Sequence, residues 1–455
     1  MKNFGAQLLL LTIVSFFSDV AFSKVIELET ASGFKFHYAQ VPEAKKVAIF
    51  VAWQTNWAYE NDVPAVPYIG VDLMFSGGAG QRNAAEITAD FDDLGSSAKL
   101  YVSADHIRGS LVTLPENARA AALIAKDVLS NPTLPDDWFQ RIKSQFLQNM
   151  QRHKARANVQ SGSLARAMIL GDQSLTTFLD LPVGTLFDSF TVEDIKSWHK
   201  STFTRSNLRV TAAGPIGEDE IASIVDIVVS SLPIGSVLAH SKMDEPVFSG
   251  RTVVLVDPKR KQTSITYVGV LPPTRLGNDA QDWVAVSALS SPDNSRLFAA
   301  IRNKLRATYS FGASIANFSR ESRVIVFSGE LEPDKTQDVL HEVRDIYRGF
   351  RQSGLSTQEF EVANNWFVNA LEANRKKAAP IAYAMMELIL DELPPQQALD
   401  LIRQIKSYTR DAVNQRIASS FPPLNTMQLV VISPTPLDIE GSCTIKNMTE
   451  IASCR

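Results

Sequence analysis

The stretch that decides the fold reads Val66-Pro67-Tyr68-Ile69-Gly70-Val71-Asp72-Leu73-Met74-Phe75-Ser76-Gly77-Gly78. We predict a helix that begins at Val66 and ends at a glycine-rich, permissive turn. Tyr68 and Asp72 are four residues apart, and residues at that spacing project together from one face of a helix. The polar chemistry of this face therefore rests on one phenol and one carboxylate.

The segments on either side of this helix alternate between strand and helix patterns. Alternating apolar residues predict strands at 34–38, 46–52, 98–103 and 108–114, and helical spacing predicts helices at 83–95, 117–129 and 136–156. The second half repeats the order, with strands at 252–257 and 263–268, a helix at 279–289, two strands around 309–330 and a helix at 335–350. Both halves run strands, helices, strands, helices, which indicates an internal duplication and an α+β fold.

Composition narrows the class of protein. A chain of 455 residues is long enough for two to three domains, and 45% hydrophobic and 21% charged residues are ordinary for a globular protein. With a net charge of −4 the chain lacks the excess of basic residues that is typical of proteins that bind nucleic acid or an anionic membrane surface. We predict a first domain at 24–232, a linker at 233–248, a second domain at 249–440 and a tail at 441–455.

The N-terminus is typical of an export signal. A lysine at position 2 precedes an apolar run at 8–17 and the small residues Ala21 and Ser23. This pattern predicts a signal peptide at 1–23, cleaved before Lys24, in a bacterial periplasmic or secreted protein. The alternative is an uncleaved anchor, although the run is short for a bilayer-spanning helix of about 20 residues. After cleavage we expect no membrane association.

The chain has two cysteines, Cys443 and Cys454, both close to its C-terminus. In an exported chain this spacing predicts a disulfide that closes a small loop. A metal site at these cysteines is disfavoured because no histidine lies nearby in sequence.

Further stretches follow one another in an informative order: Met74-Phe75 with Gly77; 84–95; 102–106; the turn Asn131-Pro132-Thr133-Leu134-Pro135; and Gly184, 191–195, His199, Phe203, Asn207 and Gly214. In this order they resemble the M16 (insulinase, or pitrilysin-like) peptidase family and its non-catalytic relatives. The resemblance covers nearly the whole mature chain. It implies two homologous domains of the LuxS/MPP-like metallohydrolase type, each a mostly antiparallel sheet packed with helices.

The resemblance also shows what the first helix lacks. Catalytic members hold Zn²⁺ through His-x-x-Glu-His, in which the glutamate activates the metal-bound water. The two histidine positions fall on Tyr68 and Asp72, and the glutamate position falls on Val71. One carboxylate without imidazoles is a poor zinc site, and Val71 cannot act as a base.

The distal zinc ligand of the family is missing as well. It would be a glutamate on the helix 136–156, yet no glutamate occurs between Glu116 and Glu193. That helix carries Gln145 and Gln148, which lack the charge for tight zinc binding. The six histidines of the chain are scattered and do not rebuild the site. We therefore expect no metal in this chain.

The second half retains a different family motif. The segment from Ser295-Arg296-Leu297 to Tyr309 resembles one in which an arginine and a tyrosine, seven residues apart, help to bind the peptide substrate. Those positions are Arg302 and Tyr309. Arg302 could donate to a substrate oxygen, and Tyr309 to the developing oxyanion. The plainer alternative is a surface cation and a half-buried strand aromatic.

Two departures qualify that resemblance. The glycine-rich stretch that usually precedes the motif is replaced by Ser290-Ser291-Pro292-Asp293-Asn294, and the glycine before the tyrosine is Arg306. Both changes could alter how the loop approaches a peptide.

Two functions from different classes are consistent with these observations. In two-chain members of the family one subunit carries the zinc helix and the other carries the Arg/Tyr pair. The resemblance therefore implies an exported, non-zinc subunit that binds and orients a peptide substrate by strand addition, while a zinc-bearing partner hydrolyses it. The alternative is a non-catalytic scaffold or assembly protein that acts by protein–protein contact.

Overall fold

The computed structural model describes residues 24–60, 63–181, 189–241, 243–276, 279–290, 295–308 and 311–455. The predicted signal peptide at 1–23 and Tyr309 lie outside the described residues. Within the described part, no helix is long and apolar enough to cross a membrane.

The first half is built on a six-stranded sheet with the strand order β1-β2-β6-β3-β5-β4. Its strands are β1 Val25–Glu29, β2 Lys35–Gln40, β3 Val47–Gln54, β4 Ser97–Val102, β5 His106–Thr113 and β6 Leu208–Gly214. Neighbouring strands are antiparallel except for the parallel pair of β2 and β6. The described helices of this half are α1 Trp57–Glu60, α2 Val66–Ser76, α3 Ala84–Asp93, α4 Ala118–Ser130, α5 Asp136–Lys154, α6 Ala157–Leu170, α7 Ser174–Asp180, α8 Val192–Thr202 and α9 Glu218–Val229.

The second half repeats this plan with the strand order β12-β7-β11-β8-β10-β9. Its strands are β7 Thr252–Val256, β8 Thr263–Leu271, β9 Phe311–Ser319, β10 Ser322–Leu331, β11 Gln428–Ser433 and β12 Ser442–Ile445. Strand β7 pairs in parallel with β11 and β12, and the other pairs are antiparallel. The described helices here are α10 Asp279–Ser290, a π-helical segment Phe298–Lys304, α11 Thr336–Ser353, α12 Thr357–Asn374, α13 Ala378–Leu390, α14 Gln397–Lys406 and α15 Arg410–Ser420. The predicted α+β fold with two repeated, mostly antiparallel sheets is confirmed.

Short 3-10 turns connect several of these elements and do not change the plan. They lie at Pro115–Asn117, Arg205–Asn207, Thr274–Leu276, Pro333–Lys335, Leu424–Thr426 and Met448–Cys454.

In each half, one helix packs against the sheet of the other half. Helix α6 packs on β8 and β11, where Ser161 Oγ lies 2.8 Å from Thr266 Oγ1. Conversely, α13 packs on β3 and β6, where Thr211 Oγ1 donates to the carbonyl oxygen of Ala382 at 2.8 Å. Ser161 and Thr211 are fully buried, so these contacts are inside the protein. A sheet covered on both faces needs strands that are apolar on both faces, which explains the unbroken apolar run in β3.

The C-terminal tail closes one edge of the second sheet. Cys443 and Cys454 form a disulfide, as their spacing in the sequence predicts. Strand β12 adds to β7, and Arg251 Nη1 donates to the carbonyl oxygen of Cys454 at 2.9 Å. The opposite edge of this sheet is β9, whose outer side has no strand partner among the described residues.

Candidate functional site

Helix α2 is fixed by close contact with α5 and α8. Gly70 is at the contact with α8, where an added Cβ would lie 2.7 Å from Trp198 Cε3 and closer still to Cζ3. Trp198 is 1% exposed, so its ring has little room to move aside. Helices α2 and α8 can therefore approach this closely only because Gly70 has no Cβ.

Tyr68, at the first histidine position of the family motif, is packed among aromatic rings. Its ring centroid lies 5.2 Å from that of Phe178 and 6.2 Å from that of Phe146. Its hydroxyl is 3.4 Å from the carbonyl oxygen of Phe178, at the long limit of a hydrogen bond. Burial raises the pKa of the Tyr68 hydroxyl and the Asp180 carboxylate adds to the rise, so the phenol stays protonated at neutral pH.

The other two motif positions differ in exposure. Val71 is 6% exposed and belongs to the hydrophobic core of the first half. Asp72 is exposed on one side, yet the protein around it raises the pKa of its carboxyl by burial. Among the described residues Asp72 has neither a hydrogen-bond nor an ion-pair partner.

The surroundings of α2 do not fit a zinc ion. Helix α5 packs against α2, but its Gln145 and Gln148 are exposed amides. A protonated phenol, one carboxylate and neutral amides do not make the set of imidazole, thiolate or carboxylate ligands that zinc requires. Within the residues that the structure describes, no three His, Cys, Asp or Glu side chains come together in a metal-binding group.

Arg302 lies in the π-helical segment of the second half, on the wall of an open cavity of about 1110 Å³. Its guanidinium is exposed and its Cζ lies 4.8 Å from the centroid of the Phe298 ring. No described carboxylate pairs with it. The start of edge strand β9, at Phe311 and Gly312, lines the same cavity. An oxygen of a bound ligand could therefore accept from Arg302 beside an open sheet edge.

The residues that hold the Arg302 segment in place were not predicted from the sequence. Arg296, six residues earlier, donates from Nε to Glu359 Oε1 at 2.6 Å and from Nη2 to Glu359 Oε2 at 2.8 Å. Its Nη2 also donates to the carbonyl oxygen of Gly354 at 2.7 Å. This anchor ties the start of the π-helical segment to the N-terminus of α12. The local sequence pattern that could have pointed to Glu359 is the capping box Ser356-x-x-Glu359. The carboxylate of Glu359 accepts hydrogen bonds from Arg296 as well as from the capping box.

Arg306 occupies a backbone conformation that favours glycine. Its φ is +52°, in the left-handed region, at the position where the resemblance places a glycine. We expect Arg306→Gly to raise the free energy of unfolding by about 1 kcal/mol, because an L-residue in this region is strained by about that amount. The urea-unfolding midpoint measures the change. A midpoint that is lower than that of the wild type would contradict it.

Of the predicted substrate-binding pair, Arg302 and Tyr309, the structure describes only Arg302. The structure places Arg302 at the cavity, while Tyr309 lies outside the described residues. Gln262, directly before β8, lines the same cavity. The roles of Arg302 and Tyr309 in substrate binding stay predictions.

Comparisons with known proteins find relatives of this sequence and fold. Residues 189–365 match the family described as Peptidase M16 inactive domain. Over 373 residues the chain is 21% identical to an uncharacterized zinc protease of Rickettsia felis, covering 81% of this chain and 88% of that protein.

Solved structures share the fold at low sequence identity. A peptidase M16 inactive domain from Pseudomonas fluorescens superimposes with a TM-score of 0.81 at 19% identity, covering 90% of this chain and 98% of that one. The periplasmic protease PqqL from Escherichia coli gives a TM-score of 0.69 at 12% identity, covering 94% of this chain and 50% of PqqL. Residues 189–365 are therefore similar to an M16 peptidase inactive domain, and the two halves together have the fold of the M16 peptidase structures.

Proposed function

We propose that this chain is the non-zinc subunit of a two-chain M16 metalloendopeptidase. It binds and orients an extended peptide, and a zinc-bearing partner subunit hydrolyses it. The observation that carries this proposal is the contrast between the two halves. Helix α2 has no ligand set for zinc, whereas Arg302 is on the wall of an open cavity beside an edge strand and has no ion-pair partner among the described residues.

The peptide would be held partly through its backbone. Strand β9 is the last strand of its sheet among the described residues, so its outer N–H and C=O groups can pair with an added strand. Arg302 is near the start of that strand and would donate to a carbonyl or carboxylate oxygen of the peptide. Tyr309, which follows in sequence, would donate its hydroxyl to the oxyanion formed during hydrolysis.

We place the complex outside the cytoplasm, in the bacterial periplasm. The signal-like N-terminus, the disulfide between Cys443 and Cys454 and the likeness in fold to the periplasmic protease PqqL support this location. The zinc ion would be held entirely by the partner, which should carry His-x-x-Glu-His and its own export signal.

Reconstitution tests the proposal. The purified chain should contain no stoichiometric zinc and cleave no peptide, and mixing it with an exported His-x-x-Glu-His homologue from the same organism should produce cleavage. Arg302→Ala should lower kcat/KM of the mixture about tenfold, the effect of losing one charge-assisted hydrogen bond. Arg344→Ala, an exposed arginine on α11, is the matched control and should leave cleavage unchanged.

Two results would count against this function. Stoichiometric zinc together with cleavage by the chain alone would show a complete enzyme. A stable complex in which Arg302→Ala leaves kcat/KM unchanged would indicate the alternative function, a scaffold that acts by protein–protein contact.

A further inference from the structure

The cavity beside Arg302 has an unusual excess of positive charge. Five cationic side chains line it, and Glu330 supplies the one carboxylate among the lining residues that the structure describes. The cationic residues are Arg156, Lys259, Arg260, Lys261 and Arg302. The chain as a whole has a net charge of −4, so overall composition does not explain this local excess.

Four of these five charges have no ion-pair partner in the part of the chain that the structure describes. Arg260 donates to Asp257 Oδ2 at 2.9 Å and to Gln160 Oε1 at 2.6 Å, which accounts for its charge within the fold. The other four side chains are exposed and form no ion pair with any described residue. Their positive field is therefore available to a ligand.

Three separate segments of the chain bring these groups together. Arg156 is at the N-cap position of α6, Lys259 and Lys261 lie in the turn between β7 and β8, and Arg302 comes from the π-helical segment. Like charges that converge on one concave surface repel each other, and a concave wall concentrates their field. Such an arrangement is stabilised by an anionic ligand and disfavours a cationic one.

The shape of the site favours an acidic peptide over a nucleic acid. A volume of about 1110 Å³ is slightly larger than a typical ligand pocket and holds a few residues of an extended chain. The cavity opens at Phe311 and Gly312, where edge strand β9 begins, and an edge strand offers backbone partners to a peptide. The net negative charge of the chain would repel a long polyanion that extends beyond the cavity.

We propose that this cavity selects peptides with a cluster of Asp or Glu residues next to the segment that pairs with β9. The carboxylates bind to Arg156, Lys259, Lys261 and Arg302, the four cations that form no ion pair with a described residue. This inference rests on the proposed function, since it names the class of peptide that the same site takes.

Peptide binding to the full mature chain tests the proposal. Three fluorescent peptides share one apolar, strand-forming half, and their other half carries glutamates, glutamines or lysines at the same positions. By fluorescence anisotropy the Glu peptide should bind at least about tenfold more tightly than the Gln peptide, because several ion pairs add to one backbone interaction. Raising the salt concentration should reduce that difference.

Charge reversal locates the effect in the cavity. The double variant Lys259→Glu and Lys261→Glu should abolish the preference for the Glu peptide and improve binding of the Lys peptide. The matched control, Lys45→Glu with Lys200→Glu, changes the net charge equally at exposed positions outside the cavity lining and should keep the preference. Circular dichroism checks that both variants are folded.

Each remaining outcome overturns the proposal. Equal affinity for the Glu and Gln peptides would refute the acidic preference, and cleavage of both in the reconstituted mixture would leave the proposed function intact. Failure of all three peptides to bind, with no cleavage on mixing, would refute both. Tighter binding of a single-stranded oligonucleotide of equal charge, lost in the cavity variant, would assign the site to nucleic acid instead.

Discussion

Gly70→Ala should destabilise the protein by about 3 kcal/mol, although alanine is the better helix former. Gly70 is in the middle of α2, where glycine itself costs the helix about 1 kcal/mol relative to alanine. An added Cβ would lie 2.7 Å from Trp198 Cε3, and the ring is buried against α2, so either the ring or the helix must shift. Steric overlap in a packed core therefore outweighs the gain in helix propensity. The urea-unfolding midpoint measures the change.

Gly349→Ala is the matched control for this experiment. Gly349 is also inside a helix, α11, but a Cβ there meets no atom within 4 Å. This variant should gain about 0.5–1 kcal/mol, so the two substitutions should change stability in opposite directions. In the background Trp198→Leu, which makes room, Gly70→Ala should lose most of its effect. If both glycine variants raise the midpoint, the close approach of α2 and α8 is not a constraint.

The sequence predicts the individual elements well because local patterns determine them. The helix predicted to begin at Val66 begins there, and the helix predicted at 279–289 is α10, Asp279–Ser290. The glycine-rich turn after α2 and the loss of the zinc ligands are also local properties. The repeated order of these elements in the two halves indicated the duplication, which the structure confirms.

The exchange of helices between the halves could not be predicted in this way. An apolar run such as β3 shows that both faces of a strand are covered, but it does not name the covering element. Helices α6 and α13 look like ordinary helices of their own halves in the sequence. The burial of Ser161 against Thr266, and of Thr211 against α13, appears only when both halves are folded.

Of the cationic residues that line the candidate site, only Arg302 was predicted from the sequence. Arg302 was singled out because its motif is local, whereas the cations around it come from segments about 150 and about 40 residues earlier in the chain. The same limit applies to Arg296, whose partner Glu359 is 63 residues further along the chain. Long-range charge pairing leaves no periodic trace in a sequence.

Glu359→Gln should lower the free energy of unfolding by about 3 kcal/mol at neutral pH. Burial raises the pKa of Glu359, but hydrogen bonds from Arg296 and from the Ser356 backbone outweigh it and bring the pKa to about 2. An unperturbed glutamate has a pKa of 4.5, so as the pH falls the unfolded chain takes up this proton first. The stabilisation is therefore complete above a pH of about 4.5 and is lost as the pH falls towards 2.

The pH dependence separates this charge effect from a loss of packing. Glutamine keeps the size of the side chain, and its one oxygen can still accept from the Ser356 N–H, so the capping box survives. Its amide nitrogen cannot accept from Arg296 Nε, so that hydrogen bond is lost together with the pairing of charges. Urea-unfolding midpoints measured from about pH 7 down to about pH 3 should show the gap between the wild type and Glu359→Gln narrowing with acidification. Glu361→Gln removes an exposed carboxylate from the same helix and should be neutral throughout. If the difference in midpoint stayed constant with pH, Arg296 and Glu359 would stabilise the fold by packing and not by the attraction of their charges. The ion pair would then not be what anchors the segment that carries Arg302.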